Sequence, residues 1–227
     1  MRVSRRGFLA LGGAAVAGTA GCLGGDSGDA PDGPVATAPV PDGPGQYTYA
    51  TMGHADAPVV ATYIGNWKCP YCARFSTGNF ADVVTEYVEP GDLAVQFRAL
   101  AYIGNQAFLG PDAPRAARAG LAVWHADPDS YWAFHEYVMS NQPSERRQWA
   151  TTDRLVSMAD SAGVSDTEAV RSAVENGDYQ APVRQTARVA ASAGVDSTPA
   201  FAVGGQMVNP LQTDQLTSAI ESAIESA

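Results

Sequence analysis

Lysine is nearly absent from this chain. Of its 14 basic residues 13 are arginine, and Lys68 alone is lysine. Against 24 acids, 16 of them Asp, the formal net charge is −10; the first 22 residues hold three arginines and no acid, so the remainder stands at −13. So acidic a chain gives no electrostatic footing for nucleic acid. The acidic, lysine-poor balance resembles that of halophilic proteins, in which close-range screening suppresses self-repulsion. Long apolar runs are also missing: no run of twenty apolar residues lies in the body, which excludes an integral bundle of spanning helices. Histidine is scarce. His54, His125 and His135 stand in no tight pairing, so each is read as a surface or packing residue, and no metal site is expected.

At 227 residues and 45% apolar the chain can bury one substantial core, and one domain is the default. Residues 1–22 read as an address rather than as structure. Ser4-Arg5-Arg6-Gly7-Phe8-Leu9 resembles the twin-arginine export signature and is followed by a short, weakly apolar stretch from Ala10 to Ala20. Thr19-Ala20-Gly21-Cys22 resembles a lipobox, with Thr19 where Leu is commoner. Cys22 is thus the expected lipid attachment site, on the outer face of the cytoplasmic membrane. Residues 23–46 are rich in Gly, Pro, Asp, Ala and Ser and are expected to be a disordered tether with a coil reach of roughly 30 Å.

The folded body is expected over 47–226. Tyr47–Thr51 and the β-branched run Val59–Ile64 read as strands. A helix is predicted from Cys69 or Pro70 to about Val88, with Pro70 suited to its first turn. Leu93–Leu100 follows as a strand, giving β-α-β. Residues 101 to about 195 look helical; Ser165-Asp166-Thr167-Glu168 is a capping box, Asn176-Gly177 closes that helix, and Gln180–Ala193 forms another. Ala200–Val203, the turn Gly204-Gly205 and Gln206–Val208 signal a hairpin. A last helix capped by Thr213 carries the apolar stripe Leu216, Ile220 and Ile224.

With Cys22 assigned to the address, Cys69 and Cys72 remain. Their spacing on a helix places the α-carbons about 5 Å apart on one face, within reach of a disulfide. The first cysteine meets unpartnered N–H groups and the positive end of the helix dipole, which favour its thiolate. Lys68 and Arg74 are expected to add positive charge. Cys69 is therefore the expected attacking thiolate and Cys72 the resolving thiol. So small a loop would restrain the unfolded chain only modestly, which argues for chemistry over stapling. Capture of Cu(I) by the same thiolates, with Met52 or Met207, is the alternative. A binding-only module would not need the cysteines.

Gly53-His54-Ala55-Asp56-Ala57-Pro58-Val59 and Trp67-Lys68-Cys69-Pro70-Tyr71-Cys72-Ala73-Arg74-Phe75 resemble the opening of the DsbA-like thioredoxin-fold oxidoreductases. Gly194-Val195-Asp196-Ser197-Thr198-Pro199-Ala200-Phe201 is similar to that family's cis-proline loop. The resemblance covers roughly 47–226. It implies an α/β thioredoxin fold, a mixed sheet flanked by helices, with a helical subdomain inserted at about 101–190. It further implies a cis Thr198–Pro199 bond packed on the cysteine pair, with Thr198 offering its backbone to an extended substrate. The activity implied is disulfide exchange with exported or unfolded proteins, in the oxidising direction, with reoxidation by a quinone-linked membrane partner. No diffusible cofactor is needed, since the electron pair resides on the two sulfurs; reductase and isomerase use the same parts. Tyr71 stands where strongly oxidising bacterial members have His, a difference expected to raise the Cys69 pKa. Trp67 and Phe75 are expected to pack beside the site.

Overall fold

A computed structural model of the chain describes residues 30–227. The twin-arginine stretch, Cys22 and the first part of the expected tether lie outside the described residues. The central sheet has five strands in the order β1 (Thr51–Met52), β3 (Leu93–Ala99), β2 (Val59–Gly65), β6 (Ala200–Val203) and β7 (Gln206–Val208). Strands β2 and β3 run parallel over seven residue pairs, and the remaining pairings are antiparallel. In the central β2 the residues Val59, Ala61, Tyr63 and Ile64 are buried, whereas Val60 near its start is exposed. This mixed sheet with flanking helices is the thioredoxin arrangement that the resemblance implies.

Helix α1 (Pro70–Ser76) leaves the end of β2 that carries the cysteines. The single helix expected to run on to Val88 is divided. It breaks at Thr77-Gly78-Asn79, resumes as α2 (Phe80–Val83) and ends in a π-helical turn over Val84–Val88. Gly78 supplies the weak point, because glycine is among the least favoured helix residues. The Thr77 hydroxyl also turns back to the Ala73 carbonyl at 2.9 Å. After β3, residues expected to be helical form a small hairpin, β4 (Tyr102–Ile103) and β5 (Gln106–Ala107). Gly104 at its turn has φ 57°, a conformation that glycine adopts freely.

The inserted helices are α3 (Ala113–Ala126), α4 (Tyr131–Asn141), α5 (Thr152–Ser161), α6 (Thr167–Asn176) and α7 (Gln180–Ser192). Helix α3 packs against each of the other four, and α4 packs against α1. Helix α8 (Thr213–Glu225) covers β6 and β7 with Leu216 and Ile220 fully inside. Two caps differ from expectation. Asp166, not Ser165, caps α6, its carboxylate accepting the Ala169 N–H at 3.0 Å; Ser165 gives both its N–H and hydroxyl to Asp127. Gln212 precedes α8 as its N-cap, and the Thr213 hydroxyl instead accepts from Asn79.

The N-terminal stretch corrects the tether reading over its described part. Val35, Ala36 and Ala38 are buried, and the Pro39 carbonyl accepts the Gly53 N–H at 2.7 Å. A few small apolar residues between prolines suffice to seal the outer side of β1, where they meet core side chains. The expected strand at Tyr47–Thr51 shortens for a related reason. The Tyr47 carbonyl accepts from Trp124 Nε1 at 2.8 Å, and the Thr48 carbonyl faces His125 Nε2 at 3.3 Å. These groups serve α3 rather than the sheet. Val35→Ala is expected to lower stability by about 1.5 kcal/mol in denaturant titration; an unchanged midpoint would mean that this strap contributes nothing.

Candidate active site

Cys69 is the residue preceding α1, with φ −81° and ψ 119°, and Pro70 takes the first helical position. That places both cysteines at the start of a helix fed by the central strand of the sheet. Cys69 keeps 4% of its surface and Cys72 none, and both are free thiols. Thr198–Pro199 is a cis peptide, and the Thr198 carbonyl oxygen accepts the Cys69 S–H at 3.4 Å. The strands also explain this meeting across the chain: β6 pairs with β2 from Ile64 opposite Ala200, which sets the loop before Ala200 beside the residues after Ile64.

The two thiols are made unequal by their surroundings. Hydrogen bonding from the Cys72 thiol is the largest influence on Cys69; with help from Thr198 and the Cys72 and Tyr71 N–H groups, it outweighs burial and lowers the Cys69 pKa from 9.0 to about 6. Cys72 moves the other way. Burial holds its thiol well above the ordinary value, and the neighbouring Cys69 pushes in the same direction. Thr198 Oγ1 is itself buried and has no hydrogen-bond partner among the described residues. Above about pH 6 Cys69 gives up the proton it shares with the Thr198 carbonyl and becomes a thiolate, while the more deeply buried Cys72 keeps its proton. This is the arrangement needed for sequential attack and resolution.

The positive charge expected from the neighbours of Cys69 is not the cause. Lys68 is 1% exposed and its ammonium is bound to the Asp112 carboxylate, itself 3% exposed, so its charge is balanced locally. Arg74 points to solvent. Trp67 and Phe75 pack as expected, in an aromatic wall with Tyr63, Phe97 and Phe134 at centroid separations of 5.0–5.4 Å. Gly120 permits it, since a Cβ there would fall 2.6 Å from Trp67 Cζ2. His135 lies inside this wall, 4.9 Å from Phe97, where burial lowers its pKa to about 3 and keeps it neutral. The Tyr63 phenol reaches the Cys72 carbonyl at 3.5 Å and Ser76 Oγ at 3.3 Å. Tyr71, between the cysteines, is 58% exposed. Beside Pro70 a groove opens between α1 and the end of α4, lined by Ala73, Arg74, Met139 and Pro143.

Several site residues carry no signal in the sequence. Asn66 donates its backbone N–H to Cys72 Sγ, and Asp112 reaches Lys68 from 44 residues away; neither belongs to a recognisable pattern. Met52 and Met207, the thioether partners considered for copper, sit on the two opposite edge strands of the sheet. Among the described residues no three His, Cys, Asp or Glu side chains gather as a metal site.

A profile of the family described as thioredoxin matches residues 46–222. The chain belongs to that thioredoxin family. It is 27% identical over 175 residues to disulfide bond formation protein D of Bacillus subtilis (strain 168), covering 77% of this chain and 76% of the relative. A probable disulfide bond formation protein D of Bacillus cereus is also 27% identical, over 179 residues, 78% of this chain and 80% of the relative. Among solved structures, oxidised BdbD from Bacillus subtilis superposes with a TM-score of 0.70 at 25% identity, over 84% of this chain and 98% of BdbD. DsbA from Chlamydia trachomatis superposes with a TM-score of 0.66 at 18% identity, over 77% and 90% of the two chains, a likeness of fold.

In this member of the family the rate of Cys69 alkylation is expected to rise with pH through a midpoint near 6, because only the thiolate reacts and hydrogen bonding lowers its pKa. Cys72→Ala removes the largest of those hydrogen bonds, so the midpoint should move upward. A midpoint that stays put would show that Cys72 does not support the thiolate.

Proposed function

We propose that the chain is a thiol–disulfide oxidoreductase of the DsbA-like kind, working outside the cytoplasm on exported proteins through Cys69 and Cys72. The observation that carries this reading is the placement of two free cysteines at the start of α1, with the carbonyl before cis-Pro199 3.4 Å from Cys69 Sγ. In the oxidising direction a substrate thiolate attacks Cys69 Sγ, and Cys72 leaves with the electron pair. The substrate's second thiolate then attacks its own sulfur in the mixed disulfide, and Cys69 departs as the thiolate its surroundings favour. A low pKa makes Cys69 a good leaving group and stabilises the reduced enzyme, which suits an oxidant. The names of the Bacillus relatives support disulfide formation as the net result.

Substrate is taken to dock along the backbone of Thr198 beside Pro199, where the Thr198 carbonyl already faces Cys69 Sγ. Pro70 borders the groove between α1 and the end of α4, and Tyr71 beside it in sequence is exposed. The dithiol left after each turnover passes its electrons to a quinone-linked membrane partner, and no diffusible cofactor takes part. Export by the twin-arginine route and lipid attachment at Cys22 complete the proposal. No helix among the described residues is long and apolar enough to cross a membrane, so the lipid would supply the anchor. From Cys22 to Val35, the first buried residue among those described, the chain can span at most about 45 Å, which would limit how far the catalytic domain stands from the bilayer. The acidic, lysine-poor composition supports a halophilic setting.

Cys72→Ala, handled above its raised Cys69 midpoint, should accumulate substrates as mixed disulfides that a reductant releases, while Cys69→Ala should trap none. Equal recovery from the two variants would remove the proposed division of labour, and tight Cu(I) binding lost in Cys69→Ser with no disulfide exchange would favour copper handling. Tyr71→His should lower the Cys69 midpoint below its present value near 6 and make the disulfide more oxidising in a glutathione redox titration. An unchanged equilibrium would mean that the residue between the cysteines does not tune the pair.

A further inference from the structure

Behind the cysteine pair runs a polar connection that the exchange steps above leave unused. Asn66, 2% exposed, lies in the turn between β2 and α1. Its backbone N–H donates to Cys72 Sγ at 3.3 Å. Its side-chain amide is fully engaged: Nδ2 donates to the Leu100 carbonyl at 2.8 Å and the Phe108 carbonyl at 3.2 Å, and Oδ1 accepts the Lys68 N–H at 2.8 Å. Two residues on, the buried Lys68 ammonium donates to Asp112 Oδ1, and Asp112 Oδ2 accepts the Ala150 N–H at 2.9 Å. Gly110 closes over the pair, since a Cβ there would lie 2.7 Å from Lys68 Nζ.

The backbone from Asn66 to Lys68 is therefore pinned at two places. One holds it to the segment between Leu100 and Phe108, the other to Asp112 just before α3 and, through it, to Ala150 just before the α5 cap. A buried ion pair contributes little net stability, because desolvation offsets its attraction, but removing one partner is costly. Its value lies in fixing geometry, and what this connection fixes is the aim of an N–H at the buried sulfur. We infer that Asn66 and the Lys68–Asp112 pair are positioning residues, which hold the Asn66 N–H as the donor supporting negative charge on Cys72 Sγ whenever that sulfur attacks or leaves.

The need for such a donor follows from the chemistry. To resolve a mixed disulfide, the Cys72 sulfur attacks Cys69 Sγ as it loses its proton, which leaves the site with the departing partner sulfur. The Cys69–Cys72 bond forms, the Cys69–partner bond breaks, and the electron pair departs on the partner's sulfur. In the reverse sense a partner thiolate attacks Cys69 and the pair departs on Cys72. Either way charge develops on a sulfur with no exposed surface, where a preorganised N–H replaces the missing water. Burial raises the Cys72 pKa while the Asn66 N–H opposes it, consistent with that role.

The inference rests on the exchange reading of the site, and one experiment separates the two. The reduced protein is mixed with dithiobis-nitrobenzoate and the released coloured thiolate is followed. Cys69 attack releases the first equivalent; Cys72 attack on the resulting mixed disulfide releases the second, at a rate independent of reagent concentration. Asn66→Ala keeps the N–H but removes the side-chain bonds that aim it. It should slow the second release about tenfold, the order expected when a hydrogen bond to a charged group is misaligned, and leave the first release and its pH midpoint in place. The near-isosteric Asp112→Asn should slow the second release in the same sense by a smaller factor. Wild-type rates for the second release in both variants would overturn the inference, as would equal slowing of both phases. Should Asn66→Ala fail to fold, Asp112→Asn decides by the same outcomes. A wild-type protein that releases only the first equivalent would overturn the exchange reading itself.

Discussion

One proton, unequally shared between two sulfurs three residues apart, governs this site. The Cys72 thiol keeps its proton because burial forbids it a charge, and by keeping it remains a hydrogen-bond donor to Cys69. Cys69 can then be a thiolate without a cation beside it. The helix that follows has only seven residues, and the donors that matter are its first N–H groups together with Thr198 and Cys72. Short-range hydrogen bonds do what the sequence suggests net charge would do. The distinction matters in an acidic protein, because a hydrogen bond inside the fold is far less sensitive to ionic strength than attraction to an exposed arginine.

Much of the frame was legible before any coordinates. The continuous apolar run Val59–Ile64, the glycine pair between two short strands and the spacing of Cys69 and Cys72 are local signals, and the elements they mark are present. The Thr198–Pro199 partnership came from resemblance rather than from pattern, and the structure places its carbonyl on Cys69. What could not be read was set by contacts distant in sequence. Lys68 shows its charge in the sequence but not its counter-ion, which arrives with α3. Val35 and Ala38 look like linker residues among prolines until the outer side of β1 is there to receive them. Tyr47 and Thr48 look like strand, and lose that role because α3 carries Trp124 and His125 to their carbonyls. In each case a tertiary partner overrode a local preference.

The inserted helices are part of the site rather than an ornament on the sheet. Helix α3 begins with the carboxylate that neutralises Lys68, and its Gly120 makes room for Trp67. Helix α4 supplies Phe134 and His135 to the aromatic wall and borders the groove beside Pro70. The turn before α1 is thereby packed against residues of both α3 and α4.

The burial of Lys68 has a consequence beyond the ion pair. It is the only lysine in the chain, and it is 1% exposed. The folded surface therefore presents no ε-amine, and the basic side chains it shows to solvent are arginines. Amine-directed acylation, glycation and cross-linking have no side chain to act on while the fold stands, and labelling of Lys68 becomes a direct report of its opening.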